Sequence, residues 1–273
     1  MLSAVIIILR EVLEASLIIS ILLGISQKMV IGWQWMITAI GLGILGSGLL
    51  SYHFDIISEW FDGVGQEVSN ACLLWVNVLL LVGVCTWLSR YFQRRGAQKT
   101  PRRVVVFFIS IVGIAITREG AEIFVYGSVF SDSLESFLPI LIGGCIGAGI
   151  GASIGVLIYH LLINLPERQW FRATLVTIML IAAGMSSQVA LNLTQADWMP
   201  SQMPLWDTSS LLPETSILGQ LLYATLGYEA TPTTIQVGFY LATIVGMVVS
   251  VLFSRQSKAN TGKLMAQKKK VVI

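Results

Sequence analysis

Seven apolar runs, near residues 2–24, 33–52, 69–89, 104–129, 137–163, 172–193 and 233–254, are each long enough to cross roughly 30 Å of hydrocarbon as a helix. A helix satisfies its own backbone hydrogen bonds, which lipid cannot do for it. No stretch shows the alternation of short strands and polar turns that a soluble core would need. Charged residues make up only 12% of the 273-residue chain, about half the share in a soluble domain. These features predict an all-α polytopic membrane protein with one membrane domain over residues 1–254 and a basic tail over 255–273. A shorter apolar piece at 217–226 falls below the roughly 20 residues needed to span. It reads as a re-entrant or interfacial helix, with an amphipathic cap as the alternative.

Orientation follows from the basic residues, which stay on the cytoplasmic side in short loops. Lys28 follows the first run, and Arg90, Arg94, Arg95, Lys99, Arg102 and Arg103 lie between the third and fourth. Arg168 and Arg172 separate the fifth from the sixth, and Arg255, Lys258, Lys263, Lys268, Lys269 and Lys270 follow the last. Fifteen of the 17 basic residues thus fall on one side of a seven-span path. The other side carries Asp55, Glu59, Asp62, Glu67, Asp132, Glu135, Asp197, Asp207, Glu214 and Glu229. This predicts the N-terminus outside and the C-terminus inside. The basic loop 90–103 and the tail 255–270 would rest on anionic membrane lipid. A net charge of +2 gives no reason to expect a nucleic-acid partner.

The two remaining basic residues, Arg10 and Arg118, lie inside apolar runs, and each opens the same pattern. Arg10, Glu11 and Glu14 sit in the first run; Arg118, Glu119 and Glu122 sit in the fourth. With three spans per unit, spans 1–3 and 4–6 enter the membrane from opposite sides, an inverted repeat of about 1–89 and 104–193 with an extra span at about 233–254. Gly143, Gly147, Gly151 and Gly155 at four-residue spacing, and Gly41, Gly43, Gly46 and Gly48 in the repeat-related span, read as close-packing faces. Asn70, Asn77, Gln188 and Asn192 read as interhelical hydrogen-bonding groups, with a pathway role as the alternative.

An ionised side chain near the bilayer centre costs at least about 2.5–3.5 kcal/mol on insertion scales, and six of them are concentrated in two helices. If each arginine only paired with one of its own glutamates, one carboxylate per motif would remain without a partner. Fully ionised, the six groups carry a net charge of minus two, which a multivalent cation would relieve. An oxygen-only set suits hard or borderline cations, and His53 and His160 lie near the opposite ends of their runs. Cys72, Cys85 and Cys145 have no C-x-x-C spacing and read as small packing residues. Glu59, Asp62 and Glu67 form an acidic outer stretch that would gather cations, although a solvated loop face is the commoner meaning of such a run. No phosphate-binding glycine loop or Ser-His-Asp arrangement is present, and the chain is not expected to be an enzyme or to bind a permanent cofactor.

The paired Arg-Glu-x-x-Glu motifs, with the stretch 221–232 that contains Gly227, Tyr228, Glu229 and Pro232 before the last span, resemble the oxidase-dependent iron permease family. That family includes fungal high-affinity iron permeases and bacterial EfeU-type iron transporters. The resemblance covers essentially the whole chain in topology. It implies that Glu11, Glu14, Glu119 and Glu122 ligate an iron ion in transit, with Arg10 and Arg118 balancing charge. Such permeases take ferric iron from a partner oxidase or peroxidase, or are described as ferrous importers, and reside in the plasma membrane, here a bacterial inner membrane. The family commonly has glycine after the first Arg-Glu pair, where this chain has Val12. Two other readings remain open: transport of a different divalent metal, and a non-transporting membrane subunit or sensor.

Overall fold

A computed structural model describes residues 2–93, 102–129 and 134–271. Arg94, Arg95, Lys99 and Asp132, named above, lie outside them. The described residues are helical apart from turns, irregular connections and one isolated antiparallel bridge between Pro204 and Thr233. The order is α1 (Leu2–Lys28), α2 (Gln34–Tyr52), α3 (Phe54–Ser58), α4 (Trp60–Gly63), α5 (Gly65–Gln93), α6 (Arg102–Val129), α7 (Leu134–Ile163), α8 (Glu167–Gln195), α9 (Ile217–Leu226) and α10 (Thr234–Val271). Six of these, α2, α5, α6, α7, α8 and α10, have the length and apolarity to cross a membrane. Helix α1 has 27 residues, about 40 Å of helix. Its apolar run is interrupted by the three charges of the first motif. The protein is an all-helical, multi-pass membrane protein.

The helices pair in a definite way, with α1 against α7, α2 against α6, and α5 against α8. Glycine makes the first two approaches close. A Cβ on Gly147 would meet the Val5 carbonyl oxygen at 2.6 Å, and one on Gly120 would meet the Ser47 side chain at 2.9 Å. Val12, bulkier than the glycine of the family pattern, finds its space at Gly151, where an added Cβ would lie 3.0 Å from its methyl group. The larger residue on α1 is therefore matched by a missing side chain on α7. Ser20 seals this pair by donating to the Gly155 carbonyl at 2.7 Å, and Ser16 donates to the Gly151 carbonyl at 3.1 Å. Such small-residue faces replace hydrophobic driving force in lipid, where dispersion and interhelical hydrogen bonds hold helices together.

Burial then separates the centre of the bundle from its lipid face. Fifteen residues of α8 between Trp170 and Ala190 are buried, whereas α2 buries only Trp35, Ala39 and Gly43. Leu42, Leu45 and Leu49 on α2 are exposed, as side chains solvated by acyl chains should be. The interior is filled by Leu9, Leu13 and Leu17 of α1, Leu74 and Leu88 of α5, Phe108 and Ile111 of α6, and Ile178 of α8. Helix α10 runs on to Val271, through the basic stretch that begins at Arg255.

Helix α9 is too short to span and is held by its ends. Ser216 caps its start by accepting from the Gly219 amide at 3.0 Å, and Gly227 closes it in the left-handed conformation at φ 69°. Only a residue without Cβ suits that end, because a Cβ on Gly227 would run into the Cα of the facing Gly184. The preceding loop is stitched to the following one: the Leu205 amide donates to the Pro232 carbonyl at 2.8 Å and the Thr208 amide to the Ala230 carbonyl at 2.9 Å. The Glu214 carboxylate accepts from the Ala230 amide at 2.6 Å.

Glu229, in the connection from α9 to α10, accepts from the Gln236 amide. Burial and the nearby Glu214 carboxylate push Glu229 up to about 7, against the opposing pull of Arg10 and of the Gln236 hydrogen bond. The folded chain then holds this proton more tightly than the unfolded chain, so Glu229 makes stability fall as pH rises from about 4.5 to about 7. Thermal unfolding in detergent at pH 5 and pH 7.5 measures this. Glu229→Gln is expected to reduce the drop seen in the wild type, and an unchanged drop contradicts the assignment.

Candidate metal centre

The spacing of Arg-Glu-x-x-Glu places the first and last residues one helical turn apart, on one face. In α6 that geometry is realised as an ion pair, with Arg118 Nη1 3.0 Å from Glu122 Oε1. The same guanidinium reaches its neighbour Glu119, and it crosses to α1, where Nη2 lies 2.8 Å from Glu14 Oε2. One arginine thus holds three carboxylates from two helices. Glu14 also accepts from Gln188 of α8 at 3.3 Å.

Arg10 behaves differently although its motif is the same. Its Nε lies 3.6 Å from Glu14 Oε1, too long for a hydrogen bond, and its Nη2 donates to the Tyr223 hydroxyl at 2.5 Å. The guanidinium carbon also sits 4.2 Å from the centre of the Tyr223 ring. Burial differs between the two sites as well: the side chain of Arg10 is 40% exposed and that of Arg118 8%.

Beside these Arg118 contacts, three of the four motif carboxylates also meet one another. One oxygen each from Glu11, Glu119 and Glu122 lies within 4.8 Å of the other two. Among the described residues no other group of three His, Cys, Asp or Glu side chains comes together in this way. Glu11 Oε2, Glu14 Oε1 and Glu119 Oε2 are shielded from solvent without a hydrogen-bond partner. Carboxylate oxygens seldom stay unpaired in a low-dielectric interior, since each forfeits its hydration there. A cation held by Glu11, Glu119 and Glu122 would satisfy that deficit at Glu11 and Glu119 with oxygen ligands alone.

The cluster opens onto a cavity of about 530 Å³. Arg10, Glu11, Arg118 and Glu122 line it, with Gln66, Glu67 and Asn70 from α5, Gln188, Asn192 and Gln195 from α8, and Tyr126 and Tyr223. Of the three acidic residues expected at the outer surface, Glu59 and Asp62 are exposed and do not line the cavity. Glu67 does line it from the first turn of α5, with Oε2 shielded from solvent. Asn70, Gln188 and Asn192, read above as interhelical groups, also face the cavity, while Asn77 is buried elsewhere.

Sequence reasoning did not single out Tyr223, Gln66, Gln195 or Tyr126. A buried tyrosine on a ten-residue apolar helix has no signature of its own. The available signal was that Tyr223 lies within the 221–232 stretch of the family resemblance. His53 and His160 are not among the cavity residues, and the three cysteines are free.

The profile of the iron permease FTR1 family matches residues 1–257. The chain is 25% identical over 277 residues to a ferrous iron permease EfeU of Yersinia pestis, covering 96% of each chain. It is 24% identical over 278 residues to an EfeU of Escherichia coli O6:H1, covering 95% of this chain and 98% of the relative. For an EfeU of Shigella sonnei the figures are 23% over 276 residues, 94% and 97%. No solved structure matches. A full-length match of this kind, over a helical membrane fold, makes the chain a member of the iron permease FTR1 family.

Proposed function

We propose that this protein imports iron across a bacterial inner membrane, with the ion held in transit between α1 and α6. Glu11, Glu119 and Glu122 are the direct ligands in this reading. Glu14 is the fourth carboxylate of the set and is engaged by Arg118, which ties the two helices together; Arg10 supplies the second balancing charge. The observation that carries the reading is the meeting of three carboxylate oxygens within 4.8 Å beside a polar cavity. Glu67 and the amides of Asn70, Asn192 and Gln195 line the approach. They offer oxygen atoms to an ion that is shedding water.

The path requires a topology, and the same reading supplies it: seven spans, with α1 as the first, the N-terminus outside and the C-terminus inside. Repeat A takes in α1, α2 and α5; repeat B takes in α6, α7 and α8; α10 is the extra span. Exchanging the two repeats turns the α1–α7 pairing into the α6–α2 pairing and leaves α5–α8 unchanged, which is what a two-fold relation demands. Delivery of the ion by an oxidase or peroxidase outside the membrane belongs to the same reading, and untagged co-purification tests it.

Liposomes reconstituted with the purified chain and loaded with an iron-sensitive dye test the transport directly. Ferrous and ferric iron are supplied in separate arms, with manganese as competitor, since an all-oxygen site also suits that ion. Dye quenching by at least one form of iron is expected. Vesicles that pass neither form defeat the proposal, and preferential passage of manganese replaces the cargo.

A further inference from the structure

We propose that Tyr223 is a positioning residue that holds Arg10 off the carboxylate trio, so that the oxygens of Glu11, Glu119 and Glu122 not taken by Arg118 stay open to a cation. This rests on the reading that the trio binds the transported ion. Its starting point is an asymmetry: two motifs identical in pattern place their arginines differently. Arg118 is spent on Glu14, Glu119 and Glu122, whereas Arg10 makes its short contact with a phenol hydroxyl from a helix outside both motifs.

Electrostatics alone does not favour that arrangement. Glu11, the sequence neighbour of Arg10, has a shielded oxygen with no hydrogen-bond partner, and both residues line the same cavity. Guanidinium pairs with carboxylate more strongly than with a neutral hydroxyl. If released, Arg10 would be drawn toward Glu11 and would neutralise the oxygens that a metal ion needs. A tethered organic cation would then compete with the cargo for its own site.

Tyr223 offsets this pull in two ways at once. Its hydroxyl accepts from Nη2 at 2.5 Å, and its ring face carries the guanidinium 4.2 Å from the centroid. The cation–π contact adds a modest attraction, since Tyr223 is buried while Arg10 is part-exposed. The ring is also held in place by its helix. Helix α9 is fixed by the Ser216 cap at one end and by the Gly227–Gly184 approach at the other, and it packs on both α1 and α8. Nothing in the chain's two motifs supplies an equivalent for Arg118, which needs none because its three carboxylates already surround it.

Tyr223→Phe tests the inference, because it removes the hydroxyl and keeps the ring. In the liposome assay the apparent KM for iron is expected to rise about tenfold, in the range typical for groups that orient metal ligands, with kcat little changed. Tyr223→Leu, which removes the ring as well, should raise it further. In an Arg10→Gln background the Tyr223→Phe change should add nothing, because the tyrosine acts through that arginine. A purely structural tyrosine would instead lower membrane yield and melting temperature without moving KM. An active wild type with an unchanged KM in Tyr223→Phe, or with additive effects in the double variant, overturns this inference alone. A wild type that passes no iron overturns the transport reading and this inference together.

Discussion

Glu119→Gln is expected to reduce iron uptake by at least about a hundredfold at equal protein in the membrane. Glu119 is 3% exposed and contributes one of the three oxygens that meet within 4.8 Å. Losing a group that merely orients a metal ligand typically costs 10- to 100-fold in affinity, so losing a ligand should reach the upper end at least. Glutamine keeps the shape and one oxygen of the side chain, so the variant tests charge rather than packing. The same replacement at Glu167, an exposed residue in the first turn of α8, should leave uptake unchanged. Uptake by Glu119→Gln close to that of the wild type would remove this residue from the ligand set.

Arg118→Ala is expected to be the most damaging single change for folding. Removing one partner of a buried ion pair leaves an uncompensated charge and typically costs about 3–5 kcal/mol. Here a single guanidinium serves Glu14, Glu119 and Glu122. Arg10→Ala should cost less, because its side chain is 40% exposed and its nearest carboxylate oxygen is 3.6 Å away. The two variants compared in one thermal-unfolding series in detergent measure the difference. Equal losses would mean that the two motifs are energetically equivalent, contrary to their geometry. A further control is a second change, Glu14→Gln, in the Arg118→Ala background. It removes one of the stranded charges and should recover part of the stability.

The motif carboxylates and arginines were legible because charge inside an apolar run is costly enough to be conspicuous, and because the same spacing occurs twice. The glycine faces were legible in kind. Gly147, Gly151 and Gly155 on α7, and Gly43 and Gly46 on α2, do stand against neighbouring helices. Gly41 and Gly48 meet nothing within 4 Å, since a run of glycines does not say which of them lies on the contact face. Glu67 was legible as an acidic residue but not as part of the cavity. Its placement depends on α5 beginning at Gly65, directly after the positive φ values of Phe61, Asp62 and Gly63.

Composition and spacing were enough to determine a helical membrane protein with two charged clusters within apolar runs, because lipid penalises every unpaired polar group and leaves few ways to place one. Tertiary structure alone decided how those charges divide. Arg118 takes three glutamates, Tyr223 takes Arg10, and Glu11, Glu119 and Glu122 are left facing one another. The physical reason is range: along one helix a side chain reaches only residues within about one turn of it. Partners on α8 and α9, more than a hundred residues distant from α1 in the chain, reach the cluster only once the helices have packed.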